Sequence, residues 1–137
     1  MNTFKQQEAF NMKTLNDYIQ QKQTECFNKY GAFFAFGQEQ FNKQKKEGVI
    51  YAQNEIGLIY PKENSAKLHK ELGEIHKLGR ELDIKENGVE TIIERELANY
   101  ECFYTWDISD AVNHLSAYNI TEQQVKEVFN KVKDQYE

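Results

Sequence analysis

Three titratable residues near position 110 have the types and the spacing that could support catalysis or metal binding. Asp107, Asp110 and His114 are three and four residues apart, so a helix would carry all three on one face. An aspartate four residues before a histidine could orient the imidazole as a base, or both could bind one metal ion. Alternatively, Asp107 caps the helix, Asp110 is stabilised by the positive N-terminal end of the helix dipole, and His114 is solvated. We favour this second interpretation, because no third ligand or nucleophile can be placed nearby.

Glu96 is an acidic residue that the helical pattern directs toward the core. At 100° per residue it falls inside the apolar arc formed by Val89, Ile92, Ile93, Leu97 and Tyr100. A carboxylate in that position must be paired, hydrogen-bonded or protonated, since an isolated buried charge is strongly unfavourable. Such residues occur at functional sites. We nevertheless favour a structural role, in which Glu96 bonds to a tyrosine, to Arg80 or to backbone N–H groups at a helix start.

The aromatic run "CFYTW" at 102–106 is flanked by carboxylates. Its residue types predict a short strand, in which side chains alternate between two faces, so Tyr104 and Trp106 cannot both face inward with Phe103. An outward-facing Trp106 beside Asp107 would anchor a binding partner, because tryptophan and tyrosine dominate interface energetics. An inward-facing Trp106 would be ordinary core. The sequence leaves these two alternatives open.

The remaining histidines and cysteines do not predict a metal site. His69 and His76 are seven residues apart on one predicted helix, which separates them by about 10.5 Å along its axis. Cys26 and Cys102 are single thiols in different predicted elements, as is typical of small buried side chains. The chain also has none of the glycine-loop, CxxC, HExxH or GxSxG motifs of common enzymes. We therefore expect no metal, no cofactor and no catalytic residue.

Hydrophobic periodicity predicts the elements that must position these residues. About five helices are expected, at 14–29, 65–82, 89–100, from 107 or 109, and from 121, with a short surface helix within 37–48. The helix over 65–82 would bury Leu68, Leu72, Ile75, Leu78 and Leu82, and "IKENGVE" at 84–90 would be a loop. Thr121 with Gln124 matches a capping box for the last helix, whose apolar stripe is Val125, Val128, Phe129 and Val132. Short strands are expected at 32–36, in a hairpin over 49–61, and at 102–106. The predicted fold is therefore α+β, a single compact domain over 1–137. A small antiparallel sheet of three to four short strands would be covered by the helices. Residues 1–13 either extend the first helix or form a loose arm.

Composition narrows the class of protein. The 137 residues carry a net charge of −5 and only two arginines, which argues against direct binding of nucleic acid. No apolar run approaches the roughly 20 residues that cross a bilayer, and the N-terminus lacks the apolar segment of a secretory signal. The sequence thus predicts a cytoplasmic protein that does not enter a membrane.

The chain contains two distinctive blocks, "GAFFAFGQEQF" at 31–41 and "ERELANYECFYTWDISDAVNHL" at 94–115. Together they resemble a family of small proteins of unknown function from bacteriophages and mobile elements. Where similar sequences carry His-Glu-Tyr after the asparagine, this chain has Tyr100, Glu101 and Cys102. The resemblance implies a viral or mobile-element setting, in the cytoplasm of a host cell, but no defined activity.

The leading hypothesis is a non-enzymatic, acidic binding protein that acts as an inhibitor or modulator of a host protein. Host defence machinery, including CRISPR effectors, is the natural target class, which would make the chain an anti-CRISPR protein. Tyr104, Trp106, Asp107 and Asp110 would form the partner-binding surface. A second hypothesis is a small enzyme or ligand-binding domain that uses Glu96 with Asp110 and His114. A third is a structural homodimer that buries the exposed aromatic side chains.

Overall fold

The computed structural model describes residues 12–136, which fold into seven α-helices and two β-strands. In chain order these are α1 (Leu15–Tyr30), α2 (Gln38–Gln44), β1 (Tyr51–Gln53), β2 (Ile59–Pro61), α3 (Ser65–Asn87), α4 (Val89–Asn99), α5 (Cys102–Thr105), α6 (Ser109–Leu115) and α7 (Glu122–Val132). Short 3₁₀ helices lie at Lys62–Asn64, Ser116–Tyr118 and Lys133–Tyr136. The predicted arm over 1–13 falls largely outside the described residues, and α1 begins only at Leu15.

The sheet is smaller than the sequence predicts. The hairpin within 49–61 is confirmed, and its two strands pair antiparallel. The predicted strand at 32–36 is reduced to a single bridge between Phe33 and Ile59, and the predicted strand at 102–106 is the helix α5. The described chain is therefore mostly helical with a small antiparallel sheet of two strands. The expectation of three to four strands was wrong, whereas each predicted helix is present and α5 is an additional one.

The described residues divide into two compact units, one over Ile19–Gly79 and one over 12–18 with 80–136. The prediction of a single domain over 1–137 stays a prediction. In the first unit, Gly31 ends α1 with a φ of 70°, a conformation in which glycine is favoured. An aromatic cluster of Phe33, Phe41 and Tyr51 then holds α2 against the hairpin, with ring centres 5.6 to 6.2 Å apart.

The helix α3 differs from its prediction in length and in the face that it buries. It continues to Asn87, through residues that the sequence predicted as a loop. Its buried positions include Leu68 and Ile75, as predicted, but Gly79 and Asp83 are buried where Leu78 and Leu82 were expected. Those two leucines are about half exposed, at 50% and 49%.

The core of the second unit joins α4, α6 and α7. Ile92, Ile93 and Leu97 of α4 pack with Leu115 of α6 and Val125 of α7, and all five are almost fully buried. The predicted capping box at the start of α7 is confirmed. The Thr121 side chain accepts a hydrogen bond from the Gln124 N–H, and the Gln124 side chain accepts one from the Thr121 N–H.

Candidate functional site

The aromatic run sits on a tight helical turn held between two left-handed residues. The helix α4 ends near Tyr100, and Glu101 has a φ of 57°. The single turn α5 follows, and Trp106 closes it with a φ of 64° and an N–H that donates to the Cys102 carbonyl at 2.8 Å. The two reversals set the direction in which each side chain of the turn points.

Two residues of α5 fasten the turn to the core. The Cys102 side chain is fully buried, and burial raises the pKa of its thiol. Phe103 stacks on Phe129, with ring centres 5.5 Å apart, and on Tyr136 at 3.9 Å. Because these adjacent residues are both held inward, the rest of the turn is left facing outward.

Tyr104 and Trp106 are the outward-facing residues of this turn. Tyr104 is 87% exposed and Trp106 is 59% exposed. The indole packs edge-on against Phe129 at 5.8 Å, and the Lys133 ammonium lies 4.7 Å from the indole centre. One part of the indole is thus held in place while the remainder is open to solvent, an arrangement typical of an interface anchor.

The backbone at Trp106 is in a conformation that bulky residues avoid. A left-handed residue other than glycine costs roughly 1–2 kcal/mol, because its Cβ approaches the following carbonyl oxygen. Strained residues of this kind often cluster at functional sites. An exposed tryptophan at such a position is therefore unfavourable for folding on two counts, its strain and its exposed apolar area.

Three carboxylates flank the exposed rings along the sequence, whereas the Lys133 ammonium lies over the indole. Asp107 accepts hydrogen bonds from the Ser109 hydroxyl at 2.6 Å and from the Ser109 N–H at 3.0 Å, and these bonds lower its pKa. The N-cap residue of α6 is Ile108, and no side chain caps the helix, so Asp107 does not have the predicted N-cap role and instead bonds the first residue of the helix. Asp110 is exposed in the first turn of the same helix. With Glu101 and no lysine or arginine from Tyr100 to Asp110, this segment is acidic.

We call the surface of Tyr104, Trp106, Asp107 and Asp110 the aromatic–acidic turn. These four predicted residues lie within one short segment of the sequence, and all four are exposed in the structure.

Glu96 is 4% exposed and belongs to a buried ionic network. Its Oε2 accepts a hydrogen bond from Nε of Arg95 at 2.8 Å, and its Oε1 accepts one from the Asn99 amide at 3.4 Å. The predicted structural role is therefore the one that the geometry favours. The partner is Arg95, however, and not Arg80 or a tyrosine.

Arg95 continues the network to α3. Its two terminal nitrogens donate to the two oxygens of Asp83 at 2.8 and 2.9 Å, a bidentate pair that is almost fully buried. The Tyr118 hydroxyl donates to Asp83 at 2.6 Å, and the Asn87 amide donates at 2.8 Å. Every buried side-chain nitrogen and oxygen of residues 12–136 has a hydrogen-bond partner.

The electrostatics of this network favour the charged forms of Asp83 and Arg95 and the neutral form of Tyr118. Burial opposes ionisation of Asp83, but hydrogen bonds from Arg95, Tyr118 and Asn87 outweigh it and lower the pKa of that carboxyl. Burial likewise opposes the charge of Arg95, and its bonds to Asp83 and Glu96 raise its pKa. Burial, followed by the bond to Asp83, raises the pKa of Tyr118. The network is thus a stable ion pair at neutral pH.

His114 is the member of the predicted triad that approaches Glu96. Its Nε2 lies 3.8 Å from Glu96 Oε1, and its ring lies 5.7 Å from that of Tyr100. No hydrogen bond or ion pair joins His114 to Asp110 in the described part of the chain. The structure therefore brings Glu96 and His114 together, and the predicted Asp–His pair is not formed.

The other histidines have local partners. His69 Nδ1 lies 2.8 Å from the Ser65 carbonyl, and its Nε2 lies 3.3 Å from the Asn54 amide. His76 Nε2 lies 3.3 Å from Gln23 Oε1. Across residues 12–136, no group of three or more His, Cys, Asp or Glu side chains is arranged to hold a metal ion. None of the helices in that range is long and apolar enough to cross a membrane.

Fold and site define a small, mostly helical protein with an exposed aromatic–acidic turn and a buried ionic network. Residues 15–136 match the model of a family of unknown function (DUF7659), and the chain belongs to that family. No curated protein and no solved structure was found to match the chain.

Proposed function

We propose that this chain is a non-enzymatic binding protein that holds a partner protein on the aromatic–acidic turn. The observation that carries the proposal is the exposure of Tyr104 and Trp106 on a turn that Cys102 and Phe103 fasten to the core. A rigid support lowers the entropy lost on binding, because the anchor side chains are already positioned.

Charge indicates the kind of partner. Glu101, Asp107 and Asp110 flank the two exposed rings, and the whole chain carries −5. Complementary charge speeds association and excludes acidic competitors. The partner surface we propose is therefore an apolar pocket for the indole within a basic rim.

We further propose a phage or mobile-element setting, in which the partner is a host protein and the chain inhibits or modulates it. The resemblance of 31–41 and 94–115 to phage-borne sequences, together with the acidic charge, supports this setting. Defence proteins such as CRISPR effectors are the target class that we propose to test first.

The test is affinity capture from a host lysate with the full chain and two variants, followed by quantitative mass spectrometry. Trp106→Ala removes the proposed anchor. Leu82→Ala is the matched control, because Leu82 is also an apolar side chain exposed to a similar degree. A partner held by the turn should bind Trp106→Ala at least about 30-fold more weakly, as an anchor residue is worth 2 kcal/mol or more. Equal capture by wild type and Trp106→Ala would contradict the proposal.

A second candidate is ligand binding or catalysis by Glu96 and His114. It is favoured by their 3.8 Å separation. That distance is longer than the roughly 2.6–3.2 Å of a catalytic hydrogen bond, and both Glu96 oxygens already have partners. A thermal-shift screen of common metabolites, in which a stabilising compound loses its effect on His114→Gln, would support this candidate over the first.

A homodimer is the third candidate, and the same variants test it. If the aromatic side chains are buried against a second copy, light scattering of the purified chain should give a dimer that Trp106→Ala converts to a monomer. That result would replace the partner protein with a second copy.

A further inference from the structure

The strand β1 has an open edge in the unit over Ile19–Gly79. The Ile50 carbonyl accepts from the Lys62 N–H at 2.8 Å, and the Asn54 N–H donates to the Leu58 carbonyl at 3.0 Å. Hydrogen-bonded and non-bonded residues alternate along an antiparallel pair. Residue 52 is therefore bonded toward β2, whereas the backbone groups of Tyr51 and Gln53 point away from it. The register agrees, since Tyr51 is opposite Pro61, which has no N–H to donate.

These outward groups have no partner within residues 12–136. No hydrogen bond involves the N–H or the C=O of Tyr51 or of Gln53 on the side away from β2. The far side of β2 is closed, because Ile59 exchanges two hydrogen bonds of 2.8 Å with Phe33. The open edge of β1 thus presents two donors and two acceptors at the spacing of a neighbouring strand.

A cleft of about 410 Å³ lies beside this edge. Gln53 and Ile59 are directly opposed in the register, so their side chains share one face of the sheet, and both line the cleft. Phe41 and Gly37 line it from the side of α2. The cleft is therefore placed where alternate side chains of an added strand could enter.

One lysine ammonium lies close to a residue that lines the cleft. From Gln38 to Gly48 there are three lysines and two glutamates. Glu39 is paired with Lys43 at 3.6 Å, whereas the Lys45 ammonium lies 5.9 Å from the centre of the Phe41 ring that lines the cleft. An incoming segment with a carboxylate near this end would meet a positive charge.

From these contacts we infer that the open edge of β1 is a docking site for an extended peptide segment of a partner protein. The segment adds as a further strand, with apolar side chains at alternate positions and an acidic residue near Lys45. Only an extended backbone matches donors and acceptors that repeat every second residue, which is why the occupant is a peptide. Main-chain bonds would supply affinity, and the cleft would supply specificity. This site is independent of the aromatic–acidic turn.

The experiment starts from a display library of random heptapeptides selected on the full chain, and the enriched peptides are measured by fluorescence polarisation. Two variants decide the role of the edge. Gln53→Pro removes an outward N–H and leaves the bonds to β2 intact, whereas Gln53→Ala keeps that N–H. Affinity should fall about tenfold or more with proline, through the lost bond and the ring that replaces it, and should change much less with alanine.

A second measurement does not depend on the fold of any variant. Each amide of an enriched peptide is N-methylated in turn, and the affinity of each methylated peptide for the wild-type chain is measured. Methylation should abolish binding at alternate positions, where the amide faces β1, and should be tolerated between them.

Three results would overturn the proposal. They are an absence of enriched peptides, equal effects of methylation at successive positions, and a solution dimer that Gln53→Pro dissociates. The last would show that a second copy of the chain occupies the edge.

Discussion

At the scale of single residues, the arginine at position 95 has the largest predicted effect on stability. It forms ion pairs with two buried carboxylates that lie on different helices, Asp83 on α3 and Glu96 on α4. Replacing all members of such a group with apolar residues is often nearly neutral, but removal of one partner leaves an uncompensated buried charge. The buried ionic network therefore links the two helices, and both of its ion pairs depend on Arg95.

We expect Arg95→Met to lower the free energy of unfolding by about 3–5 kcal/mol, the usual effect of breaking a buried pair. The measurement is urea unfolding at pH 7. Lys131→Met is the control, because it removes an exposed ion pair with Glu90 and should cost at most about 1 kcal/mol. Similar losses of unfolding free energy in the two variants would show that the buried ionic network stabilises the chain no more than an exposed ion pair does.

At Trp106, strain and binding can be separated by two substitutions. Trp106→Ala and Trp106→Gly both remove the indole, so both should lose the proposed partner equally. Only the glycine tolerates a φ of 64° without strain. We therefore expect Trp106→Gly to be more stable than Trp106→Ala by about 1 kcal/mol in urea unfolding. A more stable alanine variant would mean that residue 106 is not held in the left-handed conformation.

At the scale of elements, α5 shows why residue types alone predicted the wrong structure. Its residues favour strands, yet Cys102 and Phe103 are consecutive and both pack inward. A strand would have sent them to opposite faces, whereas a helical turn separates them by about 100° and lets both reach the core. Burial of two neighbouring apolar side chains outweighed their β propensity, which is a weak and context-dependent preference.

For α3, the sequence predicted the helix correctly but misassigned part of the face that it buries. Leu78 and Leu82 continue the apolar spacing, but Gly79 and Asp83 are the buried residues. The burial of Asp83 depends on Arg95, which lies 12 residues later on another helix. Periodicity within one helix carries no information about such a partner, so the sequence predicted the helix and missed the network.

A glycine inside α3 offers a test at this scale. Gly73 is exposed, and a Cβ placed there would meet nothing within 4 Å. Alanine favours helices over glycine by roughly 0.5–1 kcal/mol, so Gly73→Ala should stabilise the chain by about that amount. Gly88→Ala is the contrasting change, since Gly88 has a φ of 81° and alanine there would be strained. Thermal unfolding should move the two variants in opposite directions.

For the molecule as a whole, the sequence predicted the features that local rules determine. The periodicity of α4 and α7, the capping box at Thr121 and the hairpin over 49–61 were confirmed. The number of strands was wrong, because 32–36 forms one bridge and 102–106 forms a helix. The residues of the aromatic–acidic turn could be predicted from their types. Their exposure could not, because it depends on the packing of Cys102 and Phe103 into the core.

The buried ionic network determines how the stability of the whole molecule should change with pH. The pKa of Asp83 is lower in the folded chain than its ordinary value of 3.8, because bonds from Arg95, Tyr118 and Asn87 outweigh its burial. A carboxyl with a lowered folded pKa contributes stability that is complete above its unfolded pKa and is lost as the pH falls through the folded value. The contribution of Asp83 should therefore be constant from pH 7 to about pH 5 and decline below about pH 4.

Asp83→Asn isolates this contribution to acid stability. At pH 7 the variant should unfold with a free energy about 3 kcal/mol or more below that of wild type, because Arg95 loses a charged partner. As the pH falls below about 4, wild-type Asp83 becomes protonated and the gap should narrow, since neither chain then holds a carboxylate at this position. Urea unfolding of both chains at several pH values between 7 and 2 measures the gap directly. A gap of constant size down to the lowest pH would mean that Asp83 contributes through its shape and hydrogen bonds and not through its charge.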